Sequence, residues 1–158
     1  MTNLSSSSPF TKPAPADAPF GPPLIGALLR MPWEMVQRRM LEQLHEHGFT
    51  DLDAAHLTVF QYPGPQGTRP SQLAGRLRMS KQALNYLLGQ LEHLGYLERQ
   101  ADPDDLRSKR IVLTRRGEAV GRQMRQAVGE LEKEWAQQLG EERFTQLRDL
   151  LRELNKHT

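Results

Sequence analysis

Leu24, Ile25, Leu28 and Leu29 recur at three- and four-residue spacing, and Met35, Val36, Met40, Leu41 and Leu44 carry the stripe on to Gly48. That period puts apolar side chains on one face of a helix. Pro32 stands between the two sets. Proline lacks an amide donor and clashes with the preceding turn. The pattern therefore predicts either one kinked helix, or a short helix ending near Arg30 and a longer one from Pro32. A short helix over 53–62 follows, with Asp51 or Asp53 available to cap its first amides. Pro63-Gly64-Pro65-Gln66-Gly67 then breaks all periodicity.

From Thr68 to Gly117 the pattern changes. Ser71-Gln72-Leu73-Ala74 opens a short helix, and a tight turn leads to Ser80, which caps a second helix from Lys81 to about His93. Leu84, Leu87, Leu88, Leu91 and Leu94 share one face of that helix; Lys81, Gln82, Asn85, Tyr86 and Gly89 share the other. Asp102-Pro103-Asp104 reads as the turn of a hairpin, and Ile111-Val112-Leu113 as its returning strand. Helix, turn, helix, strand, charged loop, strand describes a winged helix-turn-helix, whose second helix fits a DNA major groove. Thr114 caps a long helix to about Leu139 bearing Val120, Met124, Ala127, Val128, Leu131 and Trp135. After Gly140 a last helix carries Phe144, Leu147, Leu150, Leu151 and Leu154.

The predicted fold class is mainly α with a small β wing. The DNA-binding winged helix occupies about 53–117, and helices over about 22–47 and 115–156 flank it. Their apolar stripes exceed what a module of that size can bury. Leu24, Ile25 and Leu28 at one end, and Phe144, Leu147 and Leu151 at the other, are therefore expected to dimerise. Residues 1–21, with Ser5 to Ser8 in a row and Pro9, Pro13, Pro15 and Pro19, are expected to be a disordered tail.

Charge sharpens this picture. The chain carries only +2 overall, yet residues 68–116 hold 10 Lys/Arg against 5 Asp/Glu. Residues 1–67 hold 4 against 6, and residues 117–158 hold 7 against 8. Positive charge concentrated in one third of a chain suits a phosphate backbone, because neutralising phosphates releases counterions. With no Cys, disulfides, thiolate metal sites and thiol switches are excluded, which fits a reducing cytosol. No run of about 18 apolar residues offers a membrane span. The expectation is a cytoplasmic protein, nucleoid-associated when bound to DNA.

Candidate chemistry follows from side-chain type. Lys reaches guanine acceptors, and Gln and Asn pair with adenine. Lys81, Gln82, Asn85 and Tyr86, with Ser71 and Ser80, are therefore the expected DNA-contacting set on the helices, and Arg107, Lys109, Arg110 and Arg116 the expected cations around the wing. Asp105 is expected to brace the Arg107 side chain for a narrow minor groove. His45 and His47, two apart, point to different helix faces and cannot chelate together, so no metal site is expected. Trp33, Met31, Met35, Tyr62 and Phe60 pack into core and interface or, alternatively, line an aromatic effector pocket. There is no Gly-rich phosphate loop and no Ser/His/Asp or Cys/His arrangement, so neither an enzyme nor a bound cofactor is expected. Two rivals compete with a regulator: a helical protein-interaction module that no longer binds DNA, and a sequence-neutral architectural DNA protein.

The segments Ser71 to Ala74, Met79 to Ala83, Leu91 to Arg99, Asp102 to Lys109 and Leu113 to Gly117 together resemble the MarR family of bacterial transcriptional regulators. The wing signature, Asp-x-Arg followed by Leu-Thr-x-x-Gly, is fairly specific, and the likeness extends over about 22–155. It implies a homodimer built from the first and last two helices. It further implies a pseudo-palindromic double-stranded DNA operator, usually repression, and often release by a small aromatic or anionic effector bound between the lobes. Leu106 departs from the pattern, standing where the family often has a basic or polar residue. The absence of Cys sets the chain apart from the family's peroxide sensors.

Overall fold

The computed structural model describes residues 23–60 and 67–156, with Leu106 described in its backbone alone. The Ser/Pro-rich segment, Tyr62 and most of the Pro/Gly turn cluster lie outside the described residues. In chain order the elements are α1 (Ile25–Glu46), α2 (Ala54–Phe60), α3 (Pro70–Leu77), α4 (Lys81–His93), β1 (Leu97–Asp102), β2 (Asp105–Leu113), α5 (Arg115–Leu139) and α6 (Glu141–Lys156). The chain divides into two compact units, residues 1–33 and 34–158. The described part of the first unit begins α1 and is exposed throughout. The second unit holds the core.

Of the two alternatives for the first stripe, one continuous helix forms, with Pro32 inside it. Asp53, not Asp51, caps α2: its Oδ1 accepts from the amides of Ala55 and His56 at 2.9 and 3.2 Å. Pro70 stands at the first position of α3, where its missing N–H is no loss. Ser80 Oγ accepts from the Ala83 amide at 3.1 Å and fixes the start of α4. Thr114 Oγ1 does the same for α5 through Gly117, at 3.2 Å.

The inner face of α4, with Leu84, Leu87, Leu88 and Leu91 buried, forms the floor of the core. Elements α2, α3 and β1 pack against it, and α2 and β2 also reach α5. Val120, Met124, Ala127 and Leu131 line the buried stripe of α5. β1 and β2 pair antiparallel from Leu97↔Leu113 to Asp102↔Asp105, and Thr68, outside both strands, adds a bridge to Ile111 of β2. That bridge sews the residue ahead of α3 to the wing.

Tyr96 ties these parts together. Its ring is fully buried, edge-on to Phe60 at 5.9 Å and tilted against Phe49 at 6.2 Å. Its hydroxyl donates to Asp51, and the Arg116 guanidinium lies 4.3 Å over the ring while donating to the hydroxyl at 2.9 Å and to Asp51 at 2.8 Å. Burial first, and then the carboxylate of Asp51, push the phenol up to about 12. The hydroxyl therefore stays protonated and serves as a donor. Its own backbone carbonyl accepts from Thr114 N–H at 3.1 Å, which starts α5 against the end of α4.

The expected terminal surplus divides. Leu24, Ile25 and Leu28 are 81%, 67% and 52% exposed, and Leu147, Leu150 and Leu154 are exposed on α6. Leu151 is half-buried. Phe144, expected at an interface with a second chain, is instead buried within this one, just after the Gly140 turn where α6 folds back on α5.

Gly117 gives a direct test of this packing. A Cβ there would stand 2.0 Å from the Tyr96 carbonyl oxygen, and that backbone cannot give way. Gly117→Ala should destabilise the fold by about 3 kcal/mol through overpacking. Gly129→Ala, on the same helix with nothing near its added methyl, should instead gain up to about 1 kcal/mol. Thermal melts of the two variants check both signs.

Candidate nucleic-acid interface

The outer face of α4 presents Lys81, Gln82, Asn85 and Tyr86 to solvent, as the helical period requires. Tyr86 is 67% exposed, and its hydroxyl accepts from Gln90 Nε2 at 3.3 Å. Gln90 in turn meets the buried His56 ring at 3.3 Å. Ser71, exposed on α3, shares a shallow cleft with Pro70, Lys81, Leu84 and Asn85. Ser80 is partly committed, because its oxygen caps α4. These six residues thus supply a lysine, two amides, two hydroxyls and a phenol, and none of them is a carboxylate.

The wing is braced differently from the sequence expectation. Asp105 does not hold the Arg107 guanidinium. Its Oδ1 accepts from the Arg107 backbone amide at 3.1 Å, and its Oδ2 from the Ser108 hydroxyl at 2.6 Å. These two hydrogen bonds, the hydroxyl's first, hold its carboxyl below the usual range. Asp105 shapes the backbone at the start of β2, because a short carboxylate reaches the amide two residues on more readily than a long flexible side chain. Among the described residues, the Arg107 side chain has no partner, and it is exposed.

The brace of the wing is Asp102, which the sequence marks only as a turn former. Its side chain is fully buried. It receives Arg69 Nε at 2.5 Å, Arg110 Nε at 2.9 Å and the Asp104 amide at 3.0 Å. Burial alone would raise its pKa, but Arg69, the Asp104 amide and Arg110 together bring the carboxyl down to about 2. Arg110 also pairs with Asp104 at 2.6 Å. The hairpin tip is thereby tied to Arg69, the residue that leads into α3. Asp102 as a turn former was visible in Asp-Pro-Asp; its partner 33 residues earlier was not.

Two cations expected at DNA are therefore occupied within the protein. Arg110 serves the Asp102 cluster, and Arg116 serves Asp51, Tyr96 and the Leu94 carbonyl. Lys81, Arg107 and Lys109 remain exposed and make no ion pair among the described residues. The histidines also have local partners: His45 meets the Leu52 carbonyl and His47 the Gln43 carbonyl. Phe60 is buried in the core, while Met31, Trp33 and Met35 are exposed, and Tyr62 lies outside the described residues.

The Asp102 cluster carries a pH signature. Its carboxyl falls from the usual 3.8 to about 2 in the folded protein. A depressed folded-state pKa adds stability that is fully present above the unfolded value and disappears as pH drops through the folded one. The stability difference between the unaltered protein and Asp102→Asn should therefore shrink between about pH 4 and pH 2. Hydrogen exchange at the hairpin amides, Arg110 and Ile111 included, should quicken in the variant at neutral pH. An unchanged difference across that range would mean that the carboxylate is not the holding group.

Comparison with known proteins agrees with this architecture. Residues 47–108, from the end of α1 into β2, match the model of the MarR family. An uncharacterized HTH-type transcriptional regulator of Bacillus subtilis, YkoM, is 32% identical over 85 residues. That alignment spans 54% of each protein, so the chain matches about half the length of this relative. Apo MarR from E. coli superposes with a TM-score of 0.65 at 28% identity, over 84% of this chain and 96% of that one. The repressor CouR, solved on a 23-mer DNA duplex, superposes with a TM-score of 0.66 at 23% identity, over 84% and 92%. CouR from Rhodococcus jostii RHA1 with p-coumaroyl-CoA gives 0.65 at 23%, over 82% and 90%. The helix-turn-helix, its capped recognition helix and the Asp-rich wing, taken with these matches, give this chain the winged-helix fold of the MarR transcriptional regulators, and residues 47–108 carry that family's sequence pattern.

Proposed function

We propose that this chain is a sequence-specific DNA-binding regulator that acts as a homodimer on a pseudo-palindromic operator, in the cytoplasm, as a ligand-responsive repressor. The observation that carries this is the exposed face of α4. Lys81, Gln82, Asn85 and Tyr86 stand together there without a carboxylate among them, beside a wing whose Arg107 and Lys109 have no internal partner among the described residues. Amide side chains read adenine edges and lysine reads guanine; unpaired cations hold phosphates or enter a narrow minor groove. CouR, with a similar fold, was solved on DNA, which supports the same partner here.

The homodimer is supported by exposed apolar side chains near both ends: Leu24, Ile25 and Leu28 on one, Leu147, Leu150 and Leu154 on the other. Apolar surface of this extent favours burial against a second copy. An effector is supported by CouR's complex with p-coumaroyl-CoA and by Trp33, left 45% exposed in the single chain. A ligand that binds the dimer better off DNA than on it would release the operator.

Two experiments test this function. Gln82→Ala and Asn85→Ala should each lose about 1–3 kcal/mol on the operator and little on random DNA. Lys109→Ala should weaken both and flatten the salt dependence by about one unit per protomer. Equal losses on both DNAs for all three variants would point instead to a sequence-neutral DNA protein. In sizing experiments at micromolar concentration the protein should run near twice 18.1 kDa. Leu147 is 41% exposed in the single chain, so Leu147→Glu should leave the protomer folded and abolish the dimer. A monomeric unaltered protein removes the dimer from the proposal.

A further inference from the structure

Arg78 ends α3 with φ 51° and ψ 36°, the left-handed region that side chains avoid and glycine favours. It is the one non-glycine residue with positive φ among the described residues. The conformation is imposed by the turn: the Arg78 amide bonds back to the Gly75 carbonyl at 3.3 Å, and the Met79 amide to Ala74 at 3.1 Å, before Ser80 starts α4. Glycine or asparagine would suit this turn better. An arginine kept in a strained position directs attention to its side chain.

That side chain is exposed and has no hydrogen-bond or ion-pair partner among the described residues. The same holds for Arg76, on the last turn of α3, and for Lys81, at the first position of α4. Apart from Arg107 and Lys109 on the wing and Arg115 at the start of α5, the other cations of the basic third are paired. Arg69 and Arg110 share Asp102, Arg110 pairs with Asp104 as well, Arg99 with Glu92 and Arg116 with Asp51. No acid stands between Arg69 and Glu92 in the sequence. The turn between α3 and α4 is therefore a second island of uncompensated charge, distinct from the wing.

We propose that Arg78 is a phosphate-binding residue at the turn of the helix-turn-helix, anchoring the DNA backbone beside the start of the recognition helix. The strain at its backbone persists because the guanidinium is used on DNA. This inference rests on the DNA-binding function proposed above, and it adds a contact that sets affinity rather than sequence preference.

The test compares Arg78→Gly, Arg78→Asn and Arg78→Lys in the full-length protein, measuring thermal midpoint, affinity for operator and random duplex, and salt dependence. Glycine and asparagine relieve the strain, so both should melt at least as high as the unaltered protein, the glycine variant by about 2 °C more. Both should bind operator and random DNA about tenfold more weakly, with the salt slope reduced by about one unit per protomer. Lysine, which keeps the charge, should retain most of the affinity. Lost affinity in a protein that is no less stable cannot be blamed on unfolding. Unchanged affinity and slope in both neutral variants, with the unaltered protein still binding DNA, would overturn the role of Arg78 alone. A lower melting point in both would overturn the strain argument, and an affinity loss without a slope change would overturn the phosphate contact. No salt-dependent binding by the unaltered protein would instead overturn the DNA-binding function itself.

Discussion

The buried phenol of Tyr96 is the point on which the winged helix-turn-helix depends. A tyrosine ring with no exposed surface needs a partner for its hydroxyl, because an unsatisfied buried polar group is costly. Asp51 accepts from it and Arg116 closes the set, stacked on the ring face. These three residues come from the connection between α1 and α2, from the end of the recognition-helix segment, and from the first turn of α5. Gly117 allows the α5 backbone to sit against the Tyr96 carbonyl, where any side chain would collide. One aromatic residue thereby sets how the long α5 leaves the wing.

A second polar cluster orients the wing on the same logic. Asp102 is a carboxylate with no exposed surface, tolerable only because two guanidinium groups and an amide converge on it. Arg69 belongs to the lead-in of α3 and Arg110 to the returning strand, so the hairpin is fastened to the helix pair rather than projecting alone. The Thr68–Ile111 bridge acts in parallel, with amides donating in both directions at 3.0 and 2.8 Å. A wing held in this way has little to lose in conformational freedom when a partner engages it.

These clusters also divide the positive charge of the middle third. Arginines that hold the fold are matched with acids, and the unmatched cations lie at the α3–α4 turn, on the wing and, with Arg115, at the start of α5. Net charge counts both kinds equally, but only the unmatched ones are available to a polyanion. The acids of the wing, which look unfavourable for DNA in the sequence, serve the protein's own backbone and arginines: Asp102 and Asp104 hold Arg110, while Asp105 holds an amide and a hydroxyl.

Local signals were legible in the sequence wherever the physics is local. Ser80 and Thr114 cap their helices because a short oxygen-bearing side chain reaches an amide three residues on, and such pairings are written in adjacent letters; for α2 the letters offered Asp51 or Asp53, and the structure uses Asp53. The leucines of α4 fall inward and its amides outward because the helical period alone decides it. The hairpin turn at Pro103-Asp104 follows from its composition. Side-chain partnerships across long separations were not legible. Arg107 and Arg110 look equivalent as letters, yet the fold brings Asp102 and Arg69 to one of them and leaves the other in solvent. Arg116 looked like a surface cation until Asp51, 65 residues away, was placed beside it. Phe144 looked like an interface residue until α6 folded back on α5. The sequence by itself determined the elements, their caps and the face each helix presents, because those depend on neighbours a few residues apart. Which charges are spent inside and which remain outside was decided only by the tertiary structure, because a charge is neutralised by whatever lies within a few ångströms in space.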